Sequence, residues 1–151
     1  GTKMLLYRLN YALDLRYGVL LEVAKLVNDQ KPIDLGMGYA NVIWQGDANE
    51  YAIRSLLHCE SPAKKLNVTG PETIAIRWLA EEFGKLLGKT AVFENEPAES
   101  ALLNNSRQAY ELFGLPFVKL EDMIQWTADW IQLGGQQLNK PTHFQERKGN
   151  F

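Results

Sequence analysis

The residue types that most often carry chemistry are few and scattered in this 151-residue sequence. The 2 histidines, His58 and His143, are far apart and stand in no metal-ligand spacing, and the 1 cysteine, Cys59, adds no second soft ligand. His58 falls near the end of a helical segment, where a cation complements the helix dipole. Gly36-Met37-Gly38 begins like a phosphate-binding loop, but the sixth position is Asn41 and the following residues read as a strand. A dinucleotide pyrophosphate needs the free N–H groups of a helix N-terminus at that place, so a plain turn is the better reading. No tyrosine is followed four residues later by lysine. At that spacing the two would share a helix face, and the ammonium would lower the tyrosine pKa. There is no nucleophile elbow and no P-loop. Glu94, Glu96 and Glu99 are acid/base candidates by type, but they read as a solvated acidic loop. No catalytic, cofactor-binding or metal-ligating residue is therefore assigned.

Tryptophans remain as ligand-facing candidates, because an indole stacks on sugars and bases. Trp78, Trp126 and Trp130 lie in apolar helical patterns and read as packing residues. Trp44 differs: it ends a short strand just before a helix, a common ligand position in α/β folds.

The elements that must position these residues follow from apolar spacing. Strands are expected near 4–11, 33–35, 41–45, 66–69 and 90–94. The first, Met4 to Tyr11, reads as buried. Five helices are expected. Val19 to Asn28 places Leu20, Val23, Ala24 and Val27 on one face and ends at Lys31-Pro32. Asp47 to Glu50 has a capping-box pattern, opening a helix to about His58 with Ala48, Ala52, Leu56 and Leu57 inward. Thr73 caps a helix over 74–87 that carries Ile76, Leu79, Ala80, Phe83, Leu86 and Leu87, with Gly88 as its left-handed stop. Ser106 to Phe113 forms a short helix closed by Gly114, and Leu120 to Leu133 a final one stopped by Gly134-Gly135. Alternation of short strands and helices gives an α/β class. Residues 1–135 form the folded body. Residues 136–151 form a polar tail, with Pro141, His143, Phe144 and Phe151 as candidate anchors.

Composition sets outer bounds. Apolar residues make up 46%, enough for a core, and charged residues 23%. A net charge of −2 with no basic block gives no reason to expect nucleic acid. Apolar runs are too short to span a membrane. No secretory leader is seen, and the single cysteine suits a reducing compartment, so a cytoplasmic location is expected.

Taken in order, several segments resemble the second half of extended short-chain dehydrogenase/reductases, the NAD-dependent epimerase/dehydratase family. Leu6-Tyr7-Arg8-Leu9-Asn10-Tyr11-Ala12 is similar to the strand after the catalytic helix, and Tyr17-Gly18 to the Tyr-Gly that follows it. Lys31 to Leu35 resembles the next turn and strand. Val42 to Asp47 resembles the strand that ends at a helix-capping Asp. Leu66 to Gly70 resembles the last sheet strand, and the helix from Thr73 to Gly88 the one after it. Asn105 to Ala109 with Glu111 to Gly114 resembles the later "Ser-Lys…Leu-Gly" segment, and the helix around Trp130 the terminal one.

The resemblance implies the C-terminal, substrate-binding part of such a Rossmann protein. The upstream half would carry the glycine-rich loop, the catalytic Ser/Thr and Tyr-x-x-x-Lys. NAD or NADP would bind the full-length parent, an enzyme, while this chain alone would bind no cofactor and be inactive. The substrate would be a sugar or nucleotide sugar, with Asn10, Tyr11, Arg16 and Trp44 lining its pocket. Arg8, within the strand, is equally a candidate for a structural ion pair. The strands near 4–11 and 66–69 would have few sheet partners, so that part of their apolar surface is exposed or covered by another copy of the chain. The alternative is a stand-alone, non-catalytic binding module derived from the same family.

Two departures bear on the substrate. Where the family places an arginine before the capping Asp, this sequence has Tyr39-Ala40-Asn41. Where a second arginine is expected, it has the acidic stretch Glu94 to Glu99. A diphosphate favours bidentate guanidinium donors. The parent is therefore expected to use a substrate other than a standard nucleoside diphosphate sugar, or to hold its phosphates elsewhere.

Overall fold

Three helices with apolar stripes organise the larger core. In the computed structural model, which describes residues 1–146, these are α1 (Val19–Asn28), α3 (Ile76–Leu87) and α5 (Leu120–Gln132). Leu20, Val23, Ala24 and Val27 of α1 are buried against Ile76, Leu79, Ala80 and Phe83 of α3 and Met123, Ile124 and Ala128 of α5. Gly88 adopts a left-handed φ of 64° and closes α3, as its position predicts.

The remaining helices are α2 (Gln45–Ser55), followed by a 3₁₀ turn at Leu56–His58, and α4 (Arg107–Phe113) between Ser106 and Gly114. The strands are β1 (Leu5–Leu9), β2 (Ala12–Leu13), β3 (Pro32–Asp34), β4 (Tyr39–Ala40), β5 (Ile43–Trp44), β6 (Lys64–Val68), β7 (Ile74–Ala75) and β8 (Val92–Glu94). They form four two-stranded pairings: β1 with β6, β2 with β5 and β3 with β8 in parallel, β4 with β7 antiparallel. The five expected helices and five expected strand regions are all present, with ends shifted by a few residues. The two-residue strands β2, β4 and β7 are too short to leave a periodic signal.

Tertiary partners overrule both expected helix caps. α3 begins at Ile76, not at 74, because Ile74 and Ala75 are taken up in β7. Its first N–H is satisfied by the Gly38 carbonyl at 2.9 Å, so Thr73 is not needed as a cap. Asp47 lies within the first turn of α2 and does not cap it. Its buried carboxylate accepts from the Val118 N–H at 3.0 Å, tying the loop before α5 to α2. Glu50 pairs with Arg54 at 2.9 Å instead of reaching back. The inner side of α2 is Asp47, Ala48, Tyr51 and Ser55. Leu56 and Leu57 point outward, because the change to 3₁₀ winding after Ser55 breaks the helical phase.

The β1–β6 pair is covered on one face only. Leu5 and Tyr7 with Leu66 and Val68 face α2 and α4 in a second, smaller cluster that contains Tyr51, Ala109 and Phe113. The Tyr7 hydroxyl donates to the Ala48 carbonyl at 2.6 Å, and the Tyr110 hydroxyl to the Thr69 carbonyl at 2.7 Å. Leu6 on the opposite face is 47% exposed, with Met4 at 53% and Leu9 at 44%. β1 is thus a strand as expected but not a buried one, since no layer covers its second face. Arg8 is exposed and forms no ion pair among the described residues.

After Gly135 the chain folds back along α1. The Leu138 N–H donates to the Arg16 carbonyl at 3.0 Å, and Phe144 is fully buried in the larger core. Burying that ring contributes about 2–3 kcal/mol. Pro141 and His143 are exposed, and Phe151 lies outside the described residues.

Candidate functional site

Two adjoining clefts open where the end of β1, the start of α1 and the folded-back tail meet. The first, of about 410 Å³, runs along the outer face of α1 and is walled by residues 137–142. The second, of about 300 Å³, is lined by Leu9, Tyr11, Ala12, Val19 and Gln45. Tyr17, Gly18 and Thr142 belong to both.

Gly18 makes this junction possible. Its φ of 132° is closed to most side chains, and a Cβ there would lie 2.4 Å from the Leu13 Cβ. The chain can therefore turn tightly from β2 into α1. Tyr11 is the second special position, with a φ of 44° in a residue that is not glycine. This left-handed residue bends the chain between β1 and β2. Its carbonyl accepts from the Ile43 N–H at 3.2 Å, and its hydroxyl reaches the Phe144 carbonyl at 3.4 Å. Burial raises the Tyr11 pKa, so the phenol is a neutral donor at physiological pH. Strain of this kind is held where surrounding contacts over-determine the backbone, commonly beside ligand sites.

Arg16 lines the first cleft and is bound to Asp14, its Nη2 at 2.7 Å and Nε at 3.2 Å from Oδ2. Burial would raise the Asp14 carboxyl, but the hydrogen bonds and charge of Arg16 outweigh it and hold the pKa below its usual value. Asn10 is buried and donates to Asn41 Oδ1 at 2.8 Å. Asn41 in turn donates to the Asn104 carbonyl at 2.9 Å, so an amide relay joins the end of β1 to the loop before α4. Trp44 packs edge-on against Trp126, with ring centroids 5.6 Å apart, at the base of α2. Of the four sequence-derived candidates, then, Tyr11 and Arg16 line the clefts. Asn10 and Trp44 stand outside both linings, engaged with Asn41 and Trp126.

Gln45, Lys25, Lys140 and Thr142 were not singled out from the sequence. Lys25 shares the outer side of α1 with Glu22, a place visible from helical phase alone. Lys140 and Thr142 reach the clefts only through the fold-back of the tail, which has no periodicity to reveal it. Glu94, Glu96 and Glu99 are all exposed, away from both clefts, and Glu96 lies 4.0 Å from Arg77. His58 stacks edge-on with Phe113 at 5.5 Å. Among the described residues no group of three or more His, Cys, Asp or Glu could hold a metal ion, and no helix is long and apolar enough to cross a membrane.

No protein-family model and no curated protein matches the sequence. The fold, in contrast, is shared with solved sugar-nucleotide enzymes. UDP-glucuronic acid 4-epimerase from Bacillus cereus, in complex with UDP-glucuronic acid and NAD, superposes with a TM-score of 0.67 at 17% identity over 85% of this chain. UDP-glucose 4-epimerase from Thermus thermophilus, in complex with NAD, gives 0.64 at 19% identity over 86% of this chain. dTDP-glucose 4,6-dehydratase from Bacillus anthracis, in complex with NAD, gives 0.64 at 19% over 84%. The chain spans less than half of each of these proteins, 45%, 47% and 44% respectively. At such identities the likeness establishes the fold: a partial Rossmann-type α/β unit of the epimerase/dehydratase kind.

Proposed function

We propose that this chain is the substrate-binding portion of an NAD(P)-dependent epimerase, dehydratase or reductase acting on a sugar or related small molecule. The observation that carries this reading is the match itself. Nearly the whole chain corresponds to under half of enzymes whose structures hold NAD. The reaction would oxidise a substrate carbinol by hydride transfer, and the dinucleotide and the proton-transferring base would be held by a further stretch of polypeptide. This chain's share is to bind and orient. Tyr11 and Arg16 contact the substrate from the clefts. Asn10 and Trp44 act on the same pocket, Asn10 by fixing the loop that borders it and Trp44 by setting the start of α2 beside Gln45. The uncovered face of β1, with Leu6 and Met4 exposed, supports a role as an inner surface of a larger sheet. It is equally available to a second copy of the chain.

The coding sequence upstream of Gly1 tests the proposal. A glycine-rich strand-turn-helix followed by Tyr-x-x-x-Lys in the same reading frame is the expected finding. An upstream stop codon, or an unrelated domain, refutes it. The second outcome would favour a stand-alone binding module, a reading supported by the buried Phe144, with which the chain's own tail completes the larger core.

A further inference from the structure

The larger of the two clefts has walls from this chain on both sides, α1 on one and the tail on the other. Its charged groups are not balanced. The Glu22 carboxylate is taken up by the tail, accepting from the Thr142 N–H at 3.3 Å, the Thr142 hydroxyl and the Gln145 amide at 3.2 Å. Those donors are neutral and leave the Glu22 charge in place. Asp29 faces Lys31 at 3.5 Å, and Arg16 is held by Asp14. Two ammonium groups that line the cleft, Lys25 on α1 and Lys140 on the tail, have no acidic partner of their own among the described residues. Lys25 is half-buried. Leu21, Leu26 and Pro141 add apolar surface to the same lining. A volume of about 410 Å³ lies within the range of small-ligand pockets.

We infer that this cleft binds a small organic phosphate. The phosphate sits between Lys25 and Lys140, and its apolar or ring body lies on Leu21, Leu26 and Pro141. A lysine ammonium serves a phosphate as a point charge with rotatable donors, without the fixed fork that a guanidinium needs. Two such charges from opposite walls outweigh the single carboxylate of Glu22, so a phosphate held between them draws the tail against α1. This is the cleft from which Arg16 is proposed to meet substrate, so the inference rests on that placement and names the ligand chemistry of the same site, while its binding can be measured on this chain alone.

Phenyl phosphate is a suitable probe, titrated into the isotopically labelled chain with amide shifts as the readout. Saturable shifts confined to residues 16–31 and 137–142 are expected. The dissociation constant should rise by about tenfold or more in the Lys25→Ala/Lys140→Ala double variant. Both side chains reach solvent, so an unchanged unfolding midpoint would show that the double variant is folded. Benzyl alcohol, which has the ring without the charge, should bind much more weakly. Absence of saturation to about 10 mM, unchanged affinity in the double variant, or equal binding of benzyl alcohol would each overturn the assignment. An upstream stop codon would leave this result untouched, so the two proposals fail separately.

Discussion

The two hydrophobic clusters differ in how completely they are closed. The helical cluster of α1, α3 and α5 is closed by its own helices together with Phe144 from the tail, which is fully buried within it. The cluster under β1 and β6 is sealed only where α2 and α4 lie, and the opposite face of β1 presents Leu6 and Met4 to solvent. A helix can bury its single stripe within a small bundle. A sheet has two faces, and a strand pair with helices on one of them remains half-finished. The helical half of the chain is thus the more fully closed, and the sheet half keeps one apolar face open to solvent.

Removing core volume from the sealed cluster should have the largest effect. Phe83→Ala leaves a cavity among α1, α3 and α5 and is expected to lower unfolding stability by about 3–5 kcal/mol in urea titration. A loss under about 1 kcal/mol would mean that the helical core is looser than its burial implies. Gly18→Ala comes next, at about 2–4 kcal/mol, because it adds a φ penalty to an overpacked contact with Leu13. Both clefts should lose their shape with it, read as weaker ligand binding at temperatures where the variant stays folded.

Alkaline pH bears mainly on the other region, since among the described residues Tyr11 is the one tyrosine with a burial-raised pKa that packs against the larger core. Burial pushes the Tyr7 pKa up to about 12 and raises those of Tyr51 and Tyr110, all three in the smaller cluster. The folded state therefore keeps these protons after an unfolded chain, with pKa values near 10, releases them. The stabilisation is complete below about pH 10 and is lost as pH rises from there towards about 12. Hydrogen exchange at β6 amides should accelerate over that window before exchange in α3 does. Tyr7→Phe, which cannot ionise, should weaken the dependence. Simultaneous loosening of both regions would contradict the distinction between them. The smallest effect is expected for Leu6→Lys. Because the side chain meets solvent, stability should change by less than about 0.5 kcal/mol, while any self-association seen in sedimentation should fall. A large loss of stability would show that the open face is covered after all.

Legibility in the sequence followed the same division. α1, α3 and α5 were readable because each buries one stripe at helical spacing, and α4 because Ser106 and Gly114 bracket it. β1 was readable as a strand; its run of leucines suggested burial, whereas the resemblance implied exposed apolar surface there, and Met4, Leu6 and Leu9 are exposed. The caps at Thr73 and Asp47 were misread for a common reason: a distant backbone group took the place of the local one. Gly38 supplies an acceptor to Ile76, and Val118 takes the Asp47 carboxylate. In the candidate site, Tyr11 was picked out from the segment that resembles the family and Arg16 from the stretch beside it, and both line the clefts. The tail residues were not, because their placement depends on the burial of a single ring, Phe144.

The central claim is that this chain supplies substrate contacts while the dinucleotide is held elsewhere. The most direct test is calorimetric titration of NAD into the chain alone and into the chain extended by its upstream-encoded residues. The account predicts no measurable binding to the chain alone and micromolar binding to the extended protein. Micromolar binding of NAD by these 151 residues alone would contradict it.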